Sequence, residues 1–503
     1  MSAPDSHAAP APQPRRAGWH IAGSIAAWAL PLVTAIVAMP FLWRTLGRDG
    51  YGVYILAAGY AGLAGSLGSM RGAAQRVSAG TSSGPAVTAA AGGAYLAATA
   101  TGMVALALST ALAPTFLRVA GIDPATAPAT LAAFRLAGAA APAIHLAQAA
   151  RGVLIGLEHY GMYTVHVTAT TVLTTIGMVV LAASGWQAQG LMAWFVAASV
   201  VSAAAAIALA RVAVGAGPTA SWSDGRAVVT FGATVVATET ILNLYVLAER
   251  TLLTRALGVG AVAEYTIPLS LASALQNAMA AGAVVLLPRA GAAWARGDTR
   301  ALGTMYTRAV KVIVLVAVGG STTIAGAAAM LVGWWIDADF GRQTAGTVAV
   351  LLAAYAVNAV ATPMWSLAEG AGQPARNTAL SAGLALVGVG AAVVLAPRYG
   401  AIGIAWARGL AMLAVPVFVL LGERHLFGRA QTALWKTVAV HVVPAGLVLI
   451  AGVTIAERGL TGVPLLLANA LLGAAFAAWL WRSAYFEPSE RQAIARLVGV
   501  GLS

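Results

Sequence analysis

The chain has 503 residues, of which 60% are hydrophobic and only 9% are charged, and its formal net charge is +13. A soluble domain of this length could not bury so much apolar surface, so the composition predicts a polytopic membrane protein. The apolar runs are continuous over about 20 residues, which predicts helices and excludes a membrane β-barrel. Because cysteine is absent, disulfides and thiolate metal sites are excluded.

The chain begins with a segment rich in proline and alanine, residues 1–18, which is typical of a short disordered cytoplasmic tail. The apolar run after it is too long for the core of a signal peptide, so we predict an uncleaved first span. Hydropathy predicts about fourteen membrane spans in all. They cover residues 20–43, 51–70, 86–113, 129–150, 163–184, 188–210, 227–248, 262–287, 312–336, 344–366, 377–396, 400–421, 434–455 and 460–481.

The lysines and arginines predict the orientation of these spans. With the N-terminus in the cytoplasm, 19 of the 29 basic residues fall on the cytoplasmic side and 8 on the opposite side, while Arg135 and Arg408 lie inside spans. The excess of basic residues on one side predicts that both termini are cytoplasmic. It also accounts for most of the net charge without a nucleic-acid partner, since no basic run is interleaved with aromatic residues.

A repeat divides the chain into two halves. The segment from Leu42 to Tyr54 returns 211 positions later as the segment from Leu253 to Tyr265, with Leu, Arg, Leu, Gly and Tyr at the same spacing. Each copy ends one apolar run and opens the next. Since an even number of spans separates the copies, the halves have the same orientation, and a substrate path is expected between them.

The predicted fold is therefore an all-α membrane protein with two parallel six-helix lobes and a C-terminal helix pair. The predicted divisions are the tail 1–18, an N-lobe over 19–222, a C-lobe over 223–430, the helix pair over 431–482 and a cytoplasmic tail over 483–503.

Several segments resemble bacterial polysaccharide flippases of the Wzx type, whose superfamily also includes lipid II flippases and multidrug and toxin extruders (MATE transporters). The resemblance covers nearly the whole chain, although its motifs are short. It rests on the sequence Arg-Thr-Leu-Gly-Arg-Asp-Gly-Tyr-Gly-Val-Tyr of residues 44–54, Phe231-Gly232, the segment 257–265, Leu287-Pro288-Arg289, and the segment 398–405.

This resemblance implies a V-shaped, MATE-like transporter that works by alternating access in the bacterial inner membrane. The implied cargo is an undecaprenyl-diphosphate-linked oligosaccharide for O-antigen (lipopolysaccharide), exopolysaccharide or capsule synthesis. The implied partners are this lipid-linked oligosaccharide, the bilayer, a polysaccharide polymerase and a chain-length regulator.

Other functions remain open. A drug or cation extruder of the superfamily typically has twelve spans and acidic residues in its N-lobe, but the first six spans here contain no Asp or Glu. Lipid II flippases carry arginine in their first helix, whereas span 1 here has none. A non-transporting scaffold of a glycan assembly complex is the alternative from another class. No phosphate-binding loop, metal-ligand spacing or paired carboxylates in an exterior loop indicates an enzyme, a metal or a cofactor.

Arginines in or near the spans are candidates for binding the cargo. Guanidinium groups stay protonated in a low-dielectric cavity and can hold a diphosphate with two parallel hydrogen bonds. Arginines near span ends could instead reach the lipid headgroups, and Arg408 could form a structural salt bridge. The candidates are Arg135, Arg408, Arg71, Arg151 and Arg250.

Glu239 is the candidate for ion coupling, because it lies in the middle of the seventh span. A carboxylate facing a cavity could load and release a proton, while the alternative is a fixed ion pair with Arg135 or Arg408. Further polar residues lie in apolar surroundings, where they either contact the cargo or bond neighbouring helices. They are His145, Gln148, Asn243, Gln276 and Asn277.

Overall fold

The computed structural model describes residues 14–68, 70–79, 84–219, 221–283 and 286–492, and within these ranges it contains eighteen helices and no strand. Most of each predicted terminal tail lies outside the described residues, but α1 begins at Pro14, so the end of the N-terminal tail is helical. The helices are α1 (Pro14–Gly65), α2 (Met70–Ala79), α3 (Gly84–Val119), α4 (Pro128–Ala139), α5 (Ala141–Gly156), α6 (Tyr160–Ala183), α7 (Ala188–Val214), α8 (Trp222–Leu257), α9 (Ala261–Ala283), α10 (Leu286–Ala295), α11 (Thr299–Ala325), α12 (Ala328–Trp335), α13 (Ala338–Ala359), α14 (Ala361–Gly370), α15 (Ala375–Ala411), α16 (Ala414–Phe427), α17 (Thr432–Gly459) and α18 (Gly462–Arg482).

These helices supply the fourteen predicted spans. Helices α1 and α15 each join two spans at a glycine with left-handed backbone, Gly47 (φ 69°) and Gly400 (φ 63°). Other spans are broken into two helices, as between α4 and α5, where Pro142 lies in the first turn after the break. Eleven stretches of the described residues are apolar and long enough to cross a membrane, and two of them, Ile36–Ser78 and Ala375–Phe427, run through such a kink.

Two short helices were not predicted. Helix α2 connects spans 2 and 3, and α10 connects spans 8 and 9, so each occupies the same place in its half. The ten described residues of each helix are too few to cross a bilayer, so they were not predicted as spans. Of the predicted span 8, residues 284 and 285 lie outside the described part of the chain, and α9 forms its described portion up to Ala283.

The repeat corresponds to a shared backbone feature. Gly47 and Gly258, which match in the two copies, both have positive φ, at 69° and 89°. Each lies at the junction of the first and second spans of its half. A side chain is disfavoured in this conformation, which explains why glycine occupies both positions.

Helix α8 lies where the two lobes meet. It packs along α15 in the second lobe and against α1, α2 and α3 in the first lobe. The C-terminal pair, α17 and α18, packs on α11 of the second lobe. The face of α8 that lies towards the first lobe is therefore expected to line a substrate path.

Two reciprocal contacts join the lobes at the end opposite the predicted cytoplasmic one. The Arg44 guanidinium of the first lobe donates to the carbonyl of Ile336 at the end of α12, at 2.8 Å. The Arg255 guanidinium of the second lobe donates to the carbonyl of Val119 at the end of α3, at 3.2 Å. These are matching positions of the repeat, and cations bind favourably at helix C-termini. We call this pair of contacts the arginine clasps.

Gly52 lies at the same junction and allows the lobes to approach closely. A Cβ atom there would stand 2.2 Å from the carbonyl oxygen of Val259 in the other lobe. Because that neighbour is backbone, it cannot rotate away, and any side chain at Gly52 must push the lobes apart.

We therefore expect Gly52→Val to shift the protein towards a conformation open at this end. The chain contains no cysteine, so spin labels on Ala125→Cys and Gln343→Cys, exposed in different lobes, can be placed without background labelling. The distance distribution between them should move to longer values in Gly52→Val. Gly50→Ala is the matched control, since a Cβ there meets only side chains of the first lobe, Gln187 and Leu46. An unchanged distribution in Gly52→Val would contradict the expectation.

Candidate functional site

One face of α8 carries the polar residues of the lobe interface. Glu239, Asn243, Val246 and Arg250 follow each other at helical spacing and all line cavities between the lobes. At 1.5 Å per residue, this stripe is about 16 Å long. It places a carboxylate and a guanidinium at opposite ends of one continuous surface.

The stripe faces two adjacent cavities. The central chamber has a volume of about 280 Å³ and contains Glu239 and Gln148, and the Arg250 chamber has a volume of about 400 Å³ and contains Arg250. The two chambers share part of their walls, so they lie next to each other along α8. The shared wall residues are Tyr54, Ala58, Gly62, Met178 and Asn243.

Small residues of α1 form the facing wall and leave room for Arg250. The Arg250 guanidinium extends across the interface and donates to the carbonyl of Ile55 at 3.3 Å. A Cβ on Gly59 would lie 2.8 Å from its terminal nitrogen Nη1. Arg250 has no carboxylate partner among the described residues, and its buried Nε has no hydrogen-bond partner there. Its charge is therefore available to a ligand in the chamber.

Glu239 is exposed to the central chamber and forms no ion pair in the described part of the chain. The alternative of a fixed pair with Arg135 or Arg408 is wrong. Arg408 pairs with Glu249 instead, and Arg135 forms no ion pair among the described residues. A carboxylate that is accessible from a cavity and not committed to a partner can exchange a proton.

A third cavity, the Arg151 chamber, adjoins the central chamber inside the first lobe. It has a volume of about 310 Å³ and shares Ile144 and Phe195 with the central chamber. Apart from Arg151, its polar lining consists of hydroxyl side chains. These are Thr170, Thr171, Thr174, Thr175, Ser199 and Ser202.

Arg151 is held by polar neighbours without being neutralised. Its Nε donates to Nδ1 of His166 at 3.3 Å, and its Nη2 donates to the Ser202 hydroxyl at 3.2 Å. Nε2 of His166 lies 2.9 Å from the carbonyl of Ser202 and must donate to it, so Nδ1 is the acceptor. No carboxylate among the described residues pairs with Arg151, so the chamber keeps a positive charge.

Several hydroxyls of this chamber already donate a hydrogen bond within their own helix. Thr170, Thr174 and Ser199 donate to the carbonyls four residues before them, at 2.7 to 2.8 Å. A hydroxyl used in this way still offers its oxygen as an acceptor. This part of the wall therefore suits a ligand that donates hydrogen bonds.

Arg408 does not line these chambers. It is buried in the second lobe, where it donates to the Glu249 carboxylate and to the hydroxyls of Tyr265 and Tyr355 at 3.0 and 3.1 Å. Its guanidinium also lies over the ring of Tyr245, 4.6 Å from the centroid. Of the two roles that the sequence allowed for Arg408, the structure therefore shows the salt bridge, with Glu249 as its partner.

Two other predicted arginines also lie outside the chambers. Arg71 pairs across the lobes with Glu369 of α14, at 3.0 Å, on the predicted cytoplasmic end. Trp365 donates to the same carboxylate at 3.1 Å. Arg135 is exposed on α4 and lines none of the three chambers. The lobes thus touch at both ends, with the central and Arg250 chambers between them.

The predicted polar residues divide into two groups. Gln148 and Asn243 line the central chamber, and the amide of Gln148 donates to the carbonyl of Gly65 at 3.1 Å. His145 is fully buried, and its ring nitrogens face the Thr101 hydroxyl and the Ala64 carbonyl, so it joins helices. Gln276 joins α9 to Thr362 of α14, and Asn277 is half-buried on α9 without lining a chamber.

Three parts of the site were not predicted from the sequence. These are Tyr54, the small residues of α1 and the hydroxyls of α6. Tyr54 ends the repeat, while Ala58, Gly62 and Gly65 follow it at helical spacing. The α6 hydroxyls are grouped at positions 170, 171, 174 and 175. Both patterns are visible in the sequence, and helical spacing of small or hydroxyl residues was the signal that could have found them.

Comparison with solved structures places this architecture among known transporter folds. A structure described as the lipid II flippase MurJ in an inward closed conformation superposes with a TM-score of 0.73 at 10% identity, covering 95% of this chain and 99% of that one. An inward-facing multidrug resistance MATE family transporter of the MOP superfamily gives a TM-score of 0.65 at 15% identity, covering 82% and 99%. A MATE structure in complex with MaD3S gives 0.56 at 16% identity, covering 83% and 97%. No family model and no curated protein matches the sequence. At these identities the likeness establishes the fold.

Proposed function

We propose that this protein is a flippase for an undecaprenyl-diphosphate-linked oligosaccharide in the bacterial inner membrane. It would carry the repeat unit of a surface polysaccharide from the cytoplasmic to the outer leaflet by alternating access, with both termini in the cytoplasm. The observation that carries this proposal is the row of three adjoining chambers. Guanidinium groups without a carboxylate partner among the described residues lie in its two end chambers, and hydroxyl oxygens line the Arg151 chamber.

The chemistry of the chambers matches the two parts of such a head group. Sugar hydroxyls donate hydrogen bonds, and the committed hydroxyls of α6 and α7 accept them. A diphosphate only accepts, and Arg151 and Arg250 are donors that carry no carboxylate partner in the described residues. The volumes, about 280 to 400 Å³ for each chamber, suit small groups of sugar or phosphate size.

The similar structures are of two kinds of transporter, MATE transporters and the lipid II flippase MurJ. The MATE structures align with 82% and 83% of this chain, whereas the MurJ structure aligns with 95%, which favours a carrier with the extra C-terminal pair. Lipid II itself is a lipid-linked saccharide diphosphate, so the same chambers would suit it. The absence of arginine from span 1 is the sequence feature that favours an oligosaccharide repeat over lipid II.

The proposal is tested by glycan export in cells that lack a polysaccharide flippase and are complemented with this chain. We expect the wild type to restore export, and Arg151→Ala or Arg250→Ala to reduce it about tenfold or more, because a hydrogen bond to a charged group contributes about 1.5–3 kcal/mol. Arg135→Ala is the charge-matched control and should retain export, since Arg135 lines none of the chambers.

A parallel complementation of cells depleted of their lipid II flippase separates the two cargoes. Rescue of those cells, without rescue of glycan export by any of several repeat units, would overturn the assignment to oligosaccharide repeats. Equal loss of export in Arg135→Ala and Arg151→Ala, at matched amounts of membrane protein, would overturn the role of the chambers.

A further inference from the structure

A separate cavity lies at the predicted cytoplasmic end of the second lobe, away from the three chambers. It has a volume of about 410 Å³. The first turns of α11, the end of α16 with the turn after it, and the segment after α18 enclose it. None of the residues that line it takes part in the proposed transport path.

Three arginines converge on this cavity. Arg300 and Arg308 extend from α11, two turns apart, and Arg429 follows the end of α16. All three are exposed, and no ion pair of their side chains is present among the described residues. Like charges gathered in one cavity repel each other unless an anion is bound between them.

The acidic residues of the same cavity do not cancel this charge. The Glu490 carboxylate is bound by the buried Lys311 ammonium at 2.7 Å and by the backbone N–H of Glu487 at 2.8 Å. Its charge is therefore already balanced, and only the exposed Glu487 side chain remains against the three arginines.

The face of α11 that lines the cavity also leaves room for a ligand to approach the helix backbone. Gly303 lies between Thr299 and Thr307 on this face, one turn from each, and a Cβ on it would meet nothing within 4 Å. Hydroxyls and guanidinium groups around an open glycine provide donors from several directions. Phe427 supplies an apolar wall at the same site, where its ring packs 5.4 Å from that of Tyr306.

We infer that this cavity binds a phosphate group, as carried by the headgroup of an anionic phospholipid or by a soluble phosphate. Basic pockets between membrane helices on the cytoplasmic side bind anionic headgroups, and arginine forks fit phosphate oxygens. The site is independent of the proposed cargo, so its test does not depend on transport.

The test uses the full-length protein in a neutral detergent and native mass spectrometry. The probes are phosphatidylglycerol, the zwitterionic phosphatidylcholine, and pyrophosphate as the soluble phosphate. We expect phosphatidylglycerol to bind in preference to phosphatidylcholine. The triple variant Arg300→Ala, Arg308→Ala, Arg429→Ala should bind it at least about tenfold more weakly, because three guanidinium donors to the phosphate are lost. Saturable binding of pyrophosphate that the same variant loses would support the site and identify a soluble source.

Two further variants distinguish binding in this cavity from nonspecific attraction of an anion to the positive charge of the protein. Gly303→Leu keeps all three arginines but fills the cavity, and it should weaken binding to a similar degree. The triple variant Arg211→Ala, Arg226→Ala, Arg296→Ala removes the same charge from exposed positions on the same predicted face and should bind like the wild type. Unchanged binding in the first triple variant and in Gly303→Leu, or equal loss in the second triple variant, would overturn the inference.

Discussion

Arg408→Ala should lower the free energy of unfolding by about 3–5 kcal/mol, because it leaves the Glu249 carboxylate buried without its counter-ion. Glu249 is fully buried, and Arg408 is only 5% exposed. The change would also remove the hydrogen bonds to Tyr265 and Tyr355. The measurement is thermal unfolding of the purified protein in detergent, supported by the amount of protein that reaches the membrane.

A double variant separates the ion pair from the space that its side chains fill. Arg408→Gln combined with Glu249→Gln leaves no isolated charge, so it should be clearly more stable than Arg408→Gln alone. Arg135→Ala, which removes an exposed arginine, is the matched control and should change stability by less than about 0.5 kcal/mol. If Arg408→Ala unfolded like the control, the buried pair would not hold the second lobe together.

Glu239→Gln should abolish the dependence of transport on pH while leaving the protein folded. The glutamine has the shape of the protonated acid but cannot release a proton, so a carrier coupled through this residue would be fixed in one protonation state. Because Glu239 has no ion pair in the described structure and is exposed to the central chamber, its neutralisation leaves no buried charge unpaired. The measurement is flipping of a lipid-linked oligosaccharide in proteoliposomes, with and without an imposed pH gradient.

The control for this experiment is Glu457→Gln, which neutralises an exposed acid near the end of α17, outside the chambers. It should respond to the gradient as the wild type does. A Glu239→Gln variant that still responds fully to the gradient would exclude this carboxylate as the coupling group.

Most of the fold could be predicted from the sequence, because hydropathy over about 20 residues is a local property. The fourteen spans and the two-lobed architecture are confirmed, and the repeat from Leu42 to Tyr54 coincides with matching junctions in the two halves. The kinks depend on single residues such as Gly47, so they could also be predicted from the sequence. Helices α2 and α10 were not predicted, since the ten residues described for each are too few for a span in a hydropathy reading.

The site was less predictable because the rotation of an apolar helix about its axis leaves no mark on hydropathy. Glu249 and Arg250 are adjacent, yet they point about 100° apart on α8, one into the second lobe and the other into a chamber. A soluble helix would identify its buried face by its apolar stripe, but lipid and protein interior are equally apolar. The partner of Arg408 lies 159 residues away, so no local pattern could identify it.

The arginine clasps make the lobe interface resemble that of an isologous dimer, although both halves belong to one chain. In a symmetric dimer every contact occurs twice, and one substitution breaks both copies. Here Arg44 and Arg255 are separate residues, so each clasp can be changed alone, and the two have already diverged. Arg48 pairs with Glu264 beside the first clasp, whereas the positions that match them in the repeat, Val259 and Val53, carry no charge. A single chain can thus strengthen one half of a symmetric contact independently of the other, which a true homodimer cannot do.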